Sequence, residues 1–450
     1  MRIAVWHNLP SGGGKRALYC HVRGLVERGH TVEAWCPPSA DQSYLPLNDL
    51  IEEHTVPLDW APSNSGRITS LVARAQDPLR LVQALKDHSR QCGELISGKG
   101  FDVLFANTCQ FLHAPSIGHF VDIPSVLYLQ EPNRTLYEAL PRLPWIAARH
   151  AAPWWNRQVF KSGLRDLLTL SALRIKAREE LENAQSYDVI LSNSAFSAET
   201  ILRTYGIRSR VCYLGVDTSL FRVLHKPREP FIVSVGSFQA AKGVELALRS
   251  LSLLEAPGLR FVWVANFADQ GFVTKMRALA AELNVRLEIK IRVSDEELVD
   301  LLNRATLMLY TPQLEPFGLA PLEANACGLP VVAIAEGGVR ETIVDGVNGL
   351  LVAPEPQTIA DAIAELLDKP ELMKRLGQSC VEHVHRQWGL HESIERLESQ
   401  LICAAFGESE EAEPVSAATG PRGMNSTQNP VFSQARRSHA TMFVRRRSRA

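Results

Sequence analysis

Two glutamates, Glu315 and Glu323, stand eight positions apart across a Pro-Phe-Gly turn in the stretch Leu314-Glu315-Pro316-Phe317-Gly318-Leu319-Ala320-Pro321-Leu322-Glu323-Ala324-Asn325-Ala326. Each ionised carboxylate offers two acceptor oxygens, which suits a pair of hydroxyl donors on a sugar or a ribose. Most glutamates are solvated surface groups, so the flanking chain has to decide whether these two are more than that. Upstream, Leu307-Met308-Leu309-Tyr310 predicts a short buried strand; downstream, residues 319–327 predict a helix that Gly328 ends before a second buried strand at Val331-Val332-Ala333-Ile334. In a strand-loop-helix-strand unit of a parallel sheet, ligands bind beyond the carboxyl ends of the strands, which sets Glu315 in that crevice and Glu323 on the helix rising from it. The helix start frees backbone N–H groups over residues 318–322, Pro321 being tolerated where first-turn amides lack partners anyway, and those donors favour an anion.

A second unit of the same kind opens the chain. Residues 3–6 read as a strand, Ser11-Gly12-Gly13-Gly14-Lys15-Arg16 as a glycine loop, the stretch to Glu27 as a helix stopped by Gly29, and residues 31–36 as the next strand. Gly12, Gly14 and Ala17 match Gly-x-Gly-x-x-Ala, so an oxidoreductase binding a dinucleotide is one reading. Against it, the loop begins several residues after the strand, and the acidic candidate Glu33 lies inside the second strand rather than at its end.

At 450 residues the chain is too long for one ordinary core and suits two domains. Its 46% hydrophobic and 22% charged residues are those of a globular soluble protein, and a net charge of −1 argues neither for nor against nucleic acid. The eight cysteines are scattered with no Cys-x-x-Cys pair, which points to reduced thiols used as small apolar groups and to no metal site. No apolar run reaches the ~18 residues of a membrane span, and the run at the N-terminus is too short for a signal peptide.

Further units follow in order. Residues 78–96 have helical periodicity, 102–106, 125–129 and 188–191 read as strands, and Ala195 to Tyr205 as a helix ended by Gly206. Residues 39–100 are otherwise hard to assign. Phe231-Ile232-Val233-Ser234-Val235-Gly236 opens a second series, with strands at 259–265 and 286–291 and helices at 272–283, 358–367, 370–384 and 388–406. Ser294-Asp295-Glu296-Glu297 is a capping box, so its acids read as helix-start charge rather than metal ligands.

The Glu-x7-Glu stretch, with Gly337-Gly338-Val339-Arg340-Glu341 and Asp345-Gly346-Val347-Asn348-Gly349 downstream and Gly215-Val216-Asp217-Thr218-Ser219-Leu220-Phe221 upstream, resembles the family 4 glycosyltransferases. The resemblance implies the α/β GT-B architecture: two Rossmann-like domains whose parallel sheets face a central cleft. It divides the chain into an N-terminal domain at 1–222 with a basic helical insertion at about 134–183, a linker at 223–230, a C-terminal domain at 231–390, a returning helix at 391–406 and a disordered tail at 407–450. It also implies a retaining, metal-independent transfer of sugar from a UDP- or GDP-sugar to a glycan or lipid-linked glycan, in polysaccharide or glycolipid synthesis, with no further cofactor.

Carried over residue by residue, the family's donor site falls on Glu315, Phe317, Gly318 and Leu319 for the sugar and Glu323 for the ribose, with Gly13 and Gly14 facing the donor from the other domain. The diphosphate clamp falls on Ser237 and Lys242. A basic residue is usual where Ser237 stands, so one cation is missing. Where relatives carry a histidine near the donor sugar this chain has Gln130, followed by Glu131; an amide can position a hydroxyl but cannot shuttle a proton near neutrality. The catalytic set implied is therefore Glu315, Gln130 and Lys242.

Residues 142–178 hold eight basic residues against the single acid Asp166, together with Trp145, Trp154 and Trp155. Basic charge with aromatic anchors suits anionic lipid headgroups, giving a cytoplasmic protein peripheral on the inner face of a membrane; the bland reading is a solvated helix face balanced by Glu179, Glu180 and Glu182. No motif accompanies the charge that would suit nucleic acid. A sugar-nucleotide-binding protein of weakened catalysis on the same fold is the alternative function, favoured by Ser237 and opposed by the intact glutamate pair.

Overall fold

The computed structural model describes residues 1–61, 70–138, 157–256 and 258–407, and its strands form two wholly parallel sheets, one of seven strands and one of six. The first is built from β1 (Arg2–Asn8), α1 (Gly13–Glu27), β2 (Thr31–Cys36), β3 (Glu52–Thr55), α2 (Ser70–Ile96), β4 (Val103–Cys109), β5 (Ser125–Gln130), α3 (Arg134–Tyr137), α4 (Arg157–Ala184), β6 (Val189–Ser192), α5 (Ala195–Tyr205) and β7 (Arg210–Val211). Its strand order is β3-β2-β1-β4-β5-β6-β7. The order reverses beside β1, and in open parallel sheets the crevice at such a reversal is where ligands bind.

The second sheet comprises β8 (Phe231–Val235), α6 (Val244–Leu251), β9 (Arg260–Ala265), α7 (Gln270–Glu282), β10 (Arg286–Ile291), α8 (Asp295–Arg304), β11 (Leu307–Tyr310), α9 (Leu319–Ala326), β12 (Val331–Ile334), α10 (Val339–Thr342) and β13 (Gly349–Val352), followed by α11 (Pro356–Asp368), α12 (Pro370–Gln387) and α13 (Leu390–Phe406). Its order β10-β9-β8-β11-β12-β13 reverses between β8 and β11, the two strands whose following loops carry Ser237, Lys242 and Glu315.

The central strands β4, β11 and β12 are buried along their whole length, which is why they read as near-continuous apolar runs. Helix α1 turns Lys15, Leu18, Val22 and Leu25 inward at helical spacing. One apolar cluster runs from Ile3 and Val5 of the first sheet through Val216 and Phe221 to Val233 and Tyr310 of the second, so the two sheets share a core. The chain crosses back at residues 388–390, where Val216 N–H donates to the Trp388 carbonyl at 2.8 Å and Leu390 N–H to the Val216 carbonyl at 3.0 Å. Helix α13 then lies on α1, with Glu398 bonded to Arg28 at 2.7 Å and to His30 at 2.6 Å.

Several sequence expectations need correction. Strand β3, Glu52-Glu53-His54-Thr55, has no apolar alternation to announce it, being an edge strand. Helix α2 begins at Ser70 rather than at 78, and Pro78 lies inside it. Lys242, whose local conformation the sequence leaves open, ends the 3-10 turn Ala240–Lys242, and Gly243 at φ 73° separates it from α6. The tail from 408 and the tryptophan-bearing part of the insertion, with Arg142, Arg149, Trp145, Trp154 and Trp155, lie outside the described residues.

Candidate donor site

The loop that carries Glu315 is fixed by its own backbone and by close neighbours. Leu314 at φ 48° and Gly318 at φ 95° both take left-handed conformations, so the chain turns sharply on either side of Glu315 before α9 begins. The Glu315 carbonyl accepts from Gly338 N–H at 2.7 Å, and Gly337 and Gly338 approach so closely that a Cβ on either would lie 2.3 Å from the Glu315 oxygen and 2.1 Å from the Pro316 oxygen respectively. This is why two glycines follow β12: any side chain there would push the loop away. Ser194 of the first sheet's half donates its hydroxyl to the Pro316 carbonyl at 2.5 Å and caps α5 through Ser197 N–H at 2.9 Å.

The turn after β8 is tied to the loop after β11. A Cβ on Gly243 would lie 2.2 Å from the Thr311 carbonyl, and the Thr311 hydroxyl donates to the Lys242 and Gly243 carbonyls at 3.2 and 3.1 Å. Lys242 is thereby aimed at Glu315, with Nζ 2.7 Å from Oε2. Both side chains keep some exposure, 21% and 14%.

These residues open on a cavity of ≈ 260 Å³ between the sheets, lined by Ser237, Lys242, Glu315, Leu319 and Glu323 from the second sheet and by Gly12, Gly13 and Arg16 from the first. Of the residues singled out in the sequence, Gly14, Gln130, Phe317 and Gly318 do not line it. Phe317 instead packs its ring on Trp388, 5.5 Å between centroids, and Gly318 caps α9. Gln130 ends β5 at φ 61°, an uncommon conformation for a residue with a side chain, and its buried Nε2 has no protein partner. It sits against Gly14, where an added Cβ would be 3.5 Å from that nitrogen.

Glu323 is 5% exposed on α9, and its pKa is raised by burial, with Asp295 adding to the rise and Arg16 opposing it. Arg16 donates through Nη1 to Asp295 Oδ2 at 3.0 Å and through Nη2 to Oδ1, while its Nε lies 3.5 Å from Glu323 Oε1. Burial lowers the guanidinium pKa, but Glu323 and Asp295 outweigh it and the group is held charged. Sequence reasoning missed this triad. Asp295 does more than charge a helix start, although the capping bond from Glu297 N–H to Ser294 Oγ at 3.2 Å is present. The only sequence signal for Arg16 was its place two residues after the glycine run.

Glu131 and Arg134 were also undervalued. Arg134 donates to the Gln313 carbonyl at 2.7 Å and to Glu138 at 2.6 Å, tying the end of β5 to the loop before Glu315. Burial pushes the Glu131 carboxyl up to about 8, with Arg134 at 3.8 Å pulling it down and Glu315 adding to the rise. Two groups of metal-capable side chains occur among the described residues, His7/Cys36/Glu53 and Glu33/Glu52/His54, and neither lines this cavity. In each the donors bond one another: His7 to Glu53 at 2.7 Å and His54 to Glu33 at 3.2 Å.

Comparison with known proteins adds the following. The family model described as glycosyl transferases group 1 matches residues 216–381. The chain is 29% identical over 234 residues to a D-inositol 3-phosphate glycosyltransferase 1 of Catenulispora acidiphila, covering 47% of this chain and 56% of that one. It is 27% identical over 257 residues to the alpha-1,3/1,6-mannosyltransferase ALG2 of Mus musculus, covering 49% and 62%. The matched stretch thus spans little more than half the length of these curated relatives. In structure it is similar to Anabaena Alr3699/HepE, solved with UDP and glucose, at a TM-score of 0.65 and 18% identity over 89% of this chain and 99% of that one. At that identity the likeness establishes the fold, the two-sheet GT-B architecture.

Proposed function

We propose that this chain, whose residues 216–381 match the family model described as glycosyl transferases group 1, transfers a sugar from a nucleotide sugar to an acceptor bound on the side of the first sheet. One observation carries the reading. Lys242, Glu315 and Glu323 converge with the start of α9 on one cavity between the sheets, the arrangement a nucleoside diphosphate sugar requires. Glu323 would take the ribose hydroxyls, Glu315 with the start of α9 at Leu319 the sugar, and Lys242 the diphosphate. Charge that grows on the departing diphosphate would be met by Lys242 and by the α9 amides, an electrostatic stabilisation that often dominates catalysis. Because that positive field comes from the protein itself, we infer transfer without a divalent metal, and retention of configuration in keeping with the family resemblance. The structure of Alr3699/HepE with UDP and glucose supports a UDP-sugar as the first donor to test, with a GDP-sugar next.

The acceptor we infer is a glycan or lipid-linked glycan. In support, the described part of α4 carries Arg165 and Arg174 with Leu167 65% exposed, a composition suited to an anionic membrane surface, while no helix among the described residues is long and apolar enough to cross a membrane. A second reading, a sugar-nucleotide-binding protein of weakened catalysis, draws on Ser237 and Gln130 standing where a cation and a titratable ring are usual. Turnover separates the two.

The test is a panel of nucleotide sugars scored by shift in melting temperature, followed by Glu323→Ala. Loss of a charged hydrogen bond should weaken donor binding by on the order of 1.5 to 3 kcal/mol. Unchanged affinity and turnover in a folded variant would overturn the assignment of Glu323.

A further inference from the structure

Within this reading, the nucleotide site depends on a residue that belongs to the other half of the molecule. Arg16 lies on α1, in the first turn after the glycine loop, yet its charged end is spent on the second half: both terminal nitrogens on Asp295 at the start of α8, and Nε toward Glu323 on α9. The rings of Tyr44 and Phe221 lie 5.6 and 5.4 Å from the guanidinium carbon and hold it by cation–π contact. A buried, doubly paired, ring-flanked arginine has one orientation. With two carboxylates already matched, it does not replace the cation missing at Ser237. Among the described residues it is the one cation paired with Glu323.

We propose that Arg16 is a positioning residue that aims the Glu323 carboxylate at the ribose, so that donor affinity depends on a residue contributed by the opposite domain.

The electrostatics agree with the geometry. The ionisable groups facing Glu323 are Arg16 and Cys20 of α1, Tyr44 of the loop after β2, Asp295 of α8, Tyr310 of β11 and Cys327 at the end of α9. Burial pushes Cys20 up to about 11, Cys327 and Tyr44 up to about 12, and Tyr310 well beyond its ordinary range. All four stay neutral between pH 6 and 9, which leaves Arg16 and Asp295 to decide the state of Glu323. Burial alone would drive Glu323 toward its neutral form, which accepts fewer hydrogen bonds. Taking Arg16 away removes the opposing charge and leaves Asp295 unmatched beside Glu323.

The experiment is calorimetric binding of UDP and of GDP between pH 6 and 9 to the full chain and to Arg16→Gln, Arg16→Lys, Glu323→Gln and the double variant Arg16→Gln/Glu323→Gln. The phosphate titration of the probe itself, near pH 6, is common to all of them and cancels in the comparison. An opposite charge at this range moves a carboxyl by about 1 to 3 pKa units, so Arg16→Gln should raise the inflection in affinity by one unit or more. Affinity should then fall roughly tenfold for each pH unit below that inflection and recover toward the wild-type value above it. Arg16→Lys should show a smaller displacement, and the double variant should lose the displaced inflection. Weakening that is equal at every pH would reduce Arg16 to a strut between domains and overturn the proposal, as would no change at all. An inflection that survives in the double variant would assign it to another group, with the same consequence. If Glu323→Gln weakens binding while Arg16→Gln moves nothing, this inference fails alone. If Glu323→Gln leaves affinity unchanged, the ribose assignment fails and the inference with it.

Discussion

Gly338→Ala is a one-methyl perturbation aimed at the donor loop. Gly338 has φ −74° and ψ −11°, which alanine adopts freely, so the substitution brings no backbone strain of its own. Its Cβ would lie 2.1 Å from the Pro316 oxygen, 2.7 Å from the Pro316 carbonyl carbon and 3.1 Å from Phe317 Cα. All three are backbone atoms of the loop that presents Glu315, and no flexible side chain is available to absorb the overlap. Restoring ordinary contact requires the loop or α10 to retreat by about 1 Å. The loop gives way first: its Pro316 carbonyl is held by Ser194 at 2.5 Å and by a long Ser197 contact at 3.5 Å, whereas Glu341 anchors α10 through the N–H groups of Ala195 and Phe196 and the Tyr213 hydroxyl, all at 2.9 Å. A displacement of about 1 Å at a reacting centre costs roughly 100-fold in rate, close to 3 kcal/mol at the transition state. Overpacking should also cost about 1 to 3 kcal/mol of stability, visible as a modest fall in melting temperature. The assay is kcat/KM for sugar transfer alongside a melting curve, to separate a moved loop from an unfolded chain. A folded Gly338→Ala protein with wild-type kcat/KM would refute the claim that the Glu315 loop needs this placement.

Gln130→Ala should lower kcat/KM by roughly 5- to 150-fold, the worth of 1 to 3 kcal/mol in lost hydrogen bonding, with the pH profile of kcat unmoved; a displaced pH optimum would contradict a positioning role. Transfer should persist in excess chelator, and complete loss that magnesium or manganese restores would overturn metal independence. His21, buried with both ring nitrogens unpartnered and edge-on to Tyr128 at 5.3 Å, is lowered by burial from 6.5 to about 4. Its native state therefore binds fewer protons than its unfolded state between those values, so its contribution is complete above pH 6.5 and is lost as pH falls toward 4, about 3 kcal/mol in all. His21→Phe should flatten the fall in unfolding free energy over that window in urea titrations, and curves parallel to wild type would refute the assignment.

What the sequence disclosed and what it withheld follow from the range of the interactions involved. Strands such as Leu307–Tyr310 and Val331–Ile334 were legible because burial on both faces demands a run of apolar residues. The edge strand Glu52–Thr55 was not, because its register with β2 is set by backbone pairing and its side chains are polar throughout. Glu315 and Glu323 stood out because each sits in a local pattern of strand, Pro-Phe-Gly loop and helix, and Lys242 was singled out by resemblance. Arg16 and Asp295 lie 279 positions apart, and no local pattern reports a pair of that kind. Gln130 was found by resemblance, but its left-handed backbone at the end of β5 has no sequence signature, since glutamine is an unusual choice there.

The donor loop is gripped from both halves, and this has a consequence for how the site is completed. Ser194 holds the Pro316 carbonyl, Arg134 holds the Gln313 carbonyl at 2.7 Å, and Glu341 reaches the other way to cap α5 and to accept from Tyr213 at 2.9 Å. With these bonds made, the carbonyls flanking Glu315 are turned toward the first sheet. Parting the sheets would leave those buried carbonyls and the α5 amides unpaired at about 1 to 3 kcal/mol each, unless water replaced their partners. Keeping these bonds and the placement of the Glu315 loop therefore go together. A ligand that favours this arrangement would order the Glu315 loop without touching it, through Ser194, Arg134 and Glu341.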